Sequence, residues 1–151
     1  MGYVKNLRAV IGTMPVNLVA TTVVVLNDKG EVLLRKRSEP YGAWGLPGGQ
    51  IELGECTESA GRREVFEETG LLIDYLHLID VFSGNKNFHI KLKNGDEYYA
   101  VLVAYYTQKY EGILKADGIE TLECKFFNIN NLPENILERH LCVINRYLDV
   151  V

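Results

Sequence analysis

The sequence predicts an α+β domain, an α/β/α sandwich with a central mixed β-sheet and a helix on each side. Three observations predict it. Runs rich in β-branched and aromatic residues recur between Val16 and Ile129. One helical stretch interrupts them just before Gly70, and a second helical pattern closes the chain after Pro133. Strands on both sides of one helix, followed by another helix, are satisfied by a layered mixed sheet. With 151 residues, 47% of them hydrophobic, the chain suits a single domain, 1–151, with its own core.

Taken in order, "GYVKNLRAVIG" reads as a surface for a second copy in a homodimer or as an edge strand of the chain's own sheet. "VNLVATTVVVLN" is a strand running into the turn "NDKG", and "EVLLRKR" is its return, which together predict a hairpin. "SEPYGAWGLPGGQIELGEC" carries two prolines and five glycines and predicts an irregular loop with a tightly specified backbone. Thr57 is placed to cap the next helix, Glu58 lies near its positive end, and Gly70 stops it. "LLIDYLHLIDVF" is a strand. Asn94-Gly95 joins two β-rich runs as a hairpin turn, and "TLECKFFNI" is a late strand. In "ENILERHLCVINRYLDVV" the apolar residues Ile136, Leu137, Leu141, Ile144 and Leu148 fall near helical spacing, with Pro133 suited to the helix start.

A net charge of -4 without a basic block argues against long nucleic acid as a ligand. A small polyanion stays compatible, because local arginines or a divalent cation reverse the field within one cleft. Three cysteines without C-x-x-C spacing give neither a disulfide framework nor a zinc ribbon, and fit a reducing cytoplasm. The polar N-terminus, the lack of a membrane-length apolar run, and Asn6 where a myristoylation motif needs Ser or Thr predict a cytoplasmic protein without membrane attachment.

"REVFEETG" poses the chemical question. Glu64, Glu67 and Glu68 share one helix face, where like charges repel by roughly 0.2–0.5 kcal/mol per pair and the negative end of the helix dipole is near. One reading is a solvated acidic face paired with Arg62 and Arg63. The other is a cation site, which the upstream "LPGGQ" favours: a glycine pair brings backbone close and offers carbonyl oxygens. Carboxylates and carbonyls are hard donors of the kind magnesium takes.

The segment from Gly48 to Leu71 resembles the Nudix hydrolase signature, G-x5-E-x7-R-E-U-x-E-E-x-G-U with U aliphatic. Gly49, Glu55, Arg63, Glu64, Val65, Glu67, Glu68, Gly70 and Leu71 match its fixed positions, and "WGLPGG" and "FFNINNLP" are similar to Nudix context. The resemblance implies a Nudix fold with the box as loop-helix-loop. It implies a magnesium or manganese site made by Glu64, Glu67, Glu68 and the Gly48 carbonyl, with Glu55 and Arg63 orienting the loop through an ion pair and Gly49 and Gly70 serving backbone geometry. The implied reaction is hydrolysis of a nucleoside diphosphate linked to another group X: a nucleotide sugar, an ADP-ribose-like compound or an oxidised nucleotide. The alternative is a non-catalytic nucleotide-binding sensor; such domains usually lack a box glutamate, and this chain keeps all three. An isoprenoid isomerase would need a catalytic cysteine, which none of Cys56, Cys124 and Cys142 is placed to be; Cys56 is expected to pack within its loop.

The family places its general base variously, and Glu120 leads here, with Glu123 and Glu97 behind it; an exposed loop acid is the competing reading. Arg35 and Arg37 alternate along a strand and so share a face, either as phosphate ligands or as an exposed basic strand end. Trp44, Tyr41, Phe82 or Tyr99 could stack on a base, or serve as core and rim. His77, His89 and His140 show no ligand spacing and read as incidental. The substrate stays unspecified. No proline lies between Pro47 and Pro133, where ADP-ribose hydrolases of this family often carry one, the coenzyme A pattern is absent, and Phe88 stands where dinucleoside polyphosphate hydrolases tend to place tyrosine.

Overall fold

In the computed structural model, which describes residues 2–84 and 86–151, β1 (Val16–Val25) is the strand around which both cores form. Its alternate residues point to opposite faces, and both faces are covered. Val24 packs with Leu34, Leu102, Ile144 and Tyr147 on one side, while Val23 and Val25 pack with Leu33, Val65, Leu71 and Leu76 on the other. A strand buried on both faces reads as a continuous apolar run, which is what "VVVL" is.

The hairpin expected between β1 and β2 (Val32–Arg37) survives only next to its turn. The Asn27 side chain accepts hydrogen bonds from the Lys29 and Glu31 amides, and the two strands meet at a single bridge, Leu26 to Val32. Beyond it they enter different sheets. β1 lies parallel to β7 (Glu97–Thr107), with Val16 to Val25 opposite Tyr98 to Thr107, and antiparallel to β4 (Gly48–Gln50). β5 (His77–Phe82) and β6 (His89–Lys91) pair with the two halves of β7, and the Asn94-Gly95 turn closes the β6–β7 hairpin as the sequence predicts. β2 joins β3 (Trp44–Gly45) and β8 (Thr121–Phe127) in a three-stranded antiparallel sheet. The glycine-rich loop thus contains two short strands. Where both faces of a strand are buried, alternation carries no information about its partner, and the long parallel register with β7 takes precedence over the local return.

Three helices complete the layers. The N-terminal segment forms α1 (Tyr3–Ile11), not an edge strand. It has no local side-chain cap; instead the Glu52 Oε1 accepts from the Gly2 and Tyr3 amides at 3.3 and 3.0 Å, and Arg8 donates to the Glu97 and Met14 carbonyls at 2.6 and 2.7 Å. α2 (Thr57–Thr69) carries the glutamates. Its cap is Cys56, one residue earlier than expected, whose exposed sulfur accepts from the Ser59 amide rather than packing within the loop. Gly70 ends it at φ 79°, its amide bonded to the Phe66 carbonyl. α3 (Glu138–Val150) starts well after Pro133, and its buried stripe is His140, Val143, Ile144 and Tyr147. The expected face was displaced by about one position, because a histidine and a tyrosine in the stripe conceal it; Leu148 is 44% exposed. Among the described residues no helix is long and apolar enough to cross a membrane.

Candidate active site

The C-terminal half of α2 faces a cavity of about 700 Å³, floored by β1, β4 and β7 and closed by α1, β2 and the start of α3. Glycines set how closely its walls approach. A Cβ on Gly48 would stand 2.8 Å from the Thr22 Cα, so only glycine lets β4 lie against β1 there. A Cβ on Gly49 would stand 2.6 Å from the Glu64 Cδ, so the Glu64 carboxylate occupies the space a side chain would take.

Glu68 is 3% exposed. Its Oε1 accepts from the Gly48 amide at 2.9 Å, and its Oε2 is 3.1 Å from the Arg35 Nη2. Burial, and then the charge of Glu64, push its carboxyl up to about 8 despite Arg35. Glu64 is raised too, mainly by burial. Arg63 gathers the remaining acids: it donates to both Glu55 oxygens at 2.8 and 2.9 Å, to Glu64 at 2.6 Å and to Glu67 at 3.1 Å. These bonds, Glu55 first, hold Arg63 protonated and keep the Glu55 carboxyl below its usual range. The loop-orienting ion pair expected of Glu55 and Arg63 is therefore present, and arginines offset much of the repulsion within the acidic face.

Among the described residues no three His, Cys, Asp or Glu side chains gather around one point. Magnesium does not need three: it takes one or two carboxylates and completes its shell with water and substrate phosphate. Glu64 and Glu68 line one cavity with Gly48, and this all-oxygen set, with Glu64 seated in the cradle at Gly49, fits such a hard divalent ion.

Glu120 lines the same cavity. Its backbone is clamped: Asp117 accepts from the Ile119, Glu120 and Thr121 amides, and the Glu120 carbonyl accepts from Ser38 N and Arg35 Nη1. Glu123 is exposed on β8, and Glu97 is 2.6 Å from His89. Arg35 and Arg37 both line the cavity, and Arg35, at 5% exposure, is no exposed strand end.

Trp44 does not join them. It sits in the core, its ring edge-on to Phe127 at 4.8 Å, so the substrate-stacking role considered for it gives way to packing. Tyr41 is exposed, Phe82 packs on the core, and Tyr99 stacks on His89. His140 is not incidental: its buried Nδ1 accepts from the Leu46 amide at 2.9 Å, and burial, then Arg139, Arg37 and Arg35, hold its pKa well below 6.5. Arg139 and Tyr98 also line the cavity, and sequence reasoning missed both. Arg139 lies next to the buried stripe of α3, so a correctly phased stripe would have flagged it.

A profile of the NUDIX domain matches residues 16–147. The chain belongs to the Nudix family. It is 30% identical over 131 residues to an ADP-ribose pyrophosphatase of Methanocaldococcus jannaschii, covering 86% of this chain and 72% of the relative. It is 32% identical over 114 residues to an oxidized purine nucleoside triphosphate hydrolase of Danio rerio, covering 74% and 67%. A MutT NUDIX hydrolase from Burkholderia pseudomallei shares the fold with a TM-score of 0.73 at 25% identity, covering 86% of this chain and 97% of that one. The protein is thus a Nudix hydrolase, an enzyme of nucleoside diphosphates linked to a further group, in a family that generally needs divalent metal.

Proposed function

We propose that this Nudix hydrolase uses magnesium, with manganese as a substitute, to cleave the diphosphate of a small nucleotide. Glu64, Glu68 and the Gly48 carbonyl would hold the metal, with Glu67 assisting directly or through water. When bound, such an ion neutralises non-bridging phosphate oxygens and lowers the pKa of water. The observation that carries the reading is Glu68: a buried carboxylate fixed by the Gly48 amide and Arg35, at a cavity it shares with Glu64, Glu67 and Glu120.

The chain's own residues supply placement and charge. Arg63 holds Glu55, Glu64 and Glu67 in one array, so the acidic face needs little reorganisation. Arg35 is committed to Glu68 and Thr121, which leaves Arg37 as the freer phosphate ligand of the pair. Glu120, on its clamped loop, would accept the proton of the attacking water.

Turnover of ADP-ribose, nucleotide sugars, dinucleoside polyphosphates, NADH and oxidised nucleoside triphosphates, each with magnesium or manganese, tests the reading. Hydrolysis at the diphosphate of at least one is expected. No turnover of any would leave a nucleotide sensor.

A further inference from the structure

The cavity has a second, cationic wall, in which Arg35 is paired with Glu68 while Arg37 and Arg139 have no ion pair among the described residues. Arg35 spends its terminal nitrogens on Glu68, Glu120 and Thr121, while its Nε is buried without a partner. Arg37 makes one side-chain bond, from Nε to the Glu39 carbonyl at 3.0 Å, and no ion pair among the described residues. The Arg139 side chain makes neither a hydrogen bond nor an ion pair among the described residues. Arg37 and Arg139 line the same cavity; burial, then Arg35 and Arg139, lower Arg37 to about 10 against the opposing charge of Glu68, and burial lowers Arg139. Tyr98 lines the cavity with them. Half-buried cations without counter-ions are costly unless an anion joins them.

We infer that Arg37 and Arg139 form a clamp for a terminal phosphate, making Arg139 a specificity residue that favours substrates ending in a phosphate monoester over those in which X is a neutral sugar. This rests on the reading of the cavity as a diphosphate-hydrolysing site. Charge matching carries it: a terminal phosphate brings about two negative charges near neutral pH, against two guanidiniums, whereas each phosphate inside a diphosphate diester brings one. A nucleoside triphosphate meets that condition, and a nucleotide sugar does not. The clamp also explains why His140, behind it, must stay neutral: a third or fourth cation there would have no partner at all.

The test separates the clamp from catalysis. Metal-stripped protein is titrated calorimetrically with inorganic pyrophosphate, comparing wild type with Arg139→Gln and Arg139→Lys. Arg139→Gln should weaken binding at least about tenfold, and Arg139→Lys should restore part of it. With metal, Arg139→Gln should raise KM for a nucleoside triphosphate by a similar factor and KM for ADP-ribose by a clearly smaller one. Melting curves establish that both variants fold. Unaltered pyrophosphate affinity in Arg139→Gln, or an equal rise in KM for both substrates, overturns the clamp. If wild type turns over neither substrate but pyrophosphate affinity still depends on Arg139, the clamp stands and the hydrolase reading falls.

Discussion

The two walls of the cavity are built differently. The acidic wall comes from one helix and the loop before it: Glu55, Arg63, Glu64, Glu67 and Glu68 lie within fourteen consecutive positions, and Arg63 ties Glu55, Glu64 and Glu67 together. The cationic wall is assembled from β2 and the first turn of α3, about a hundred residues apart; Arg35 is tied to Glu68, Glu120 and Thr121, while Arg37 makes one side-chain bond, to the Glu39 carbonyl. The first wall is pre-organised largely by its own sequence neighbourhood, with Arg35 of the second wall fixing Glu68. The second waits on whatever enters. On the proposed reading, the acidic wall serves the chemistry and the cationic wall the choice of substrate.

Substitutions in the acidic wall should therefore strike turnover hardest. Glu68→Gln keeps an acceptor for the Gly48 amide but removes a charged donor, so kcat should fall by about 100- to 1000-fold. Its stability loss should stay within about 3 kcal/mol, because Arg35 loses its ionic partner but keeps Thr121. Steady-state kinetics and denaturant titration together check this. A folded variant with full activity would break the comparison.

Gly49→Ala sharpens it without touching any charge. The new Cβ displaces the Glu64 carboxylate, and a misplacement of about 1 Å should cost roughly 100-fold in kcat, with pyrophosphate affinity of the metal-stripped protein unchanged.

A smaller effect is expected behind the cationic wall. His140 is neutral in the fold, with a pKa below its unfolded 6.5, so the unfolded chain binds the extra proton first. Its contribution is complete above pH 6.5 and is lost as pH falls from there toward the folded pKa. His140→Asn, which can still accept from the Leu46 amide, should flatten the stability profile over that interval in denaturant melts at successive pH values. An unchanged slope would mean that the imidazole is not held neutral. Least of all, Cys56→Ser replaces a sulfur cap by a better acceptor and should raise Tm by about 1–2 °C with kinetics unaltered.

What could be read from the sequence follows the same divide. The acidic wall was legible because helical spacing puts Glu64, Glu67 and Glu68 on one face beside a glycine pair, and the resemblance to the Nudix signature added Glu55 and Arg63. Gly70 and the Asn94-Gly95 turn were legible for the same local reason. Arg139 was not, since its position depends on the phase of a stripe in which His140 and Tyr147 look polar. Nor was the division of β1 and β2 between two sheets, because strands apolar on both faces do not announce their partners. Trp44 misled because an aromatic beside a glycine loop looks the same in a core as in a pocket. α1 was hidden most completely, for its cap is contributed by Glu52, 49 residues beyond Tyr3.

That borrowed cap ties the beginning of the chain to the glycine loop. Glu52 sits two residues after β4, so any shift of the loop that accompanies a guest in the cavity is felt by the first amides of α1, and Val4 and Lys5 stand at the cavity's edge to transmit the reverse. The N-terminal turn is in effect a built-in gauge: the rate at which the Tyr3 amide trades its proton for deuterium reads how firmly the loop is seated, with no label attached to the catalytic residues themselves.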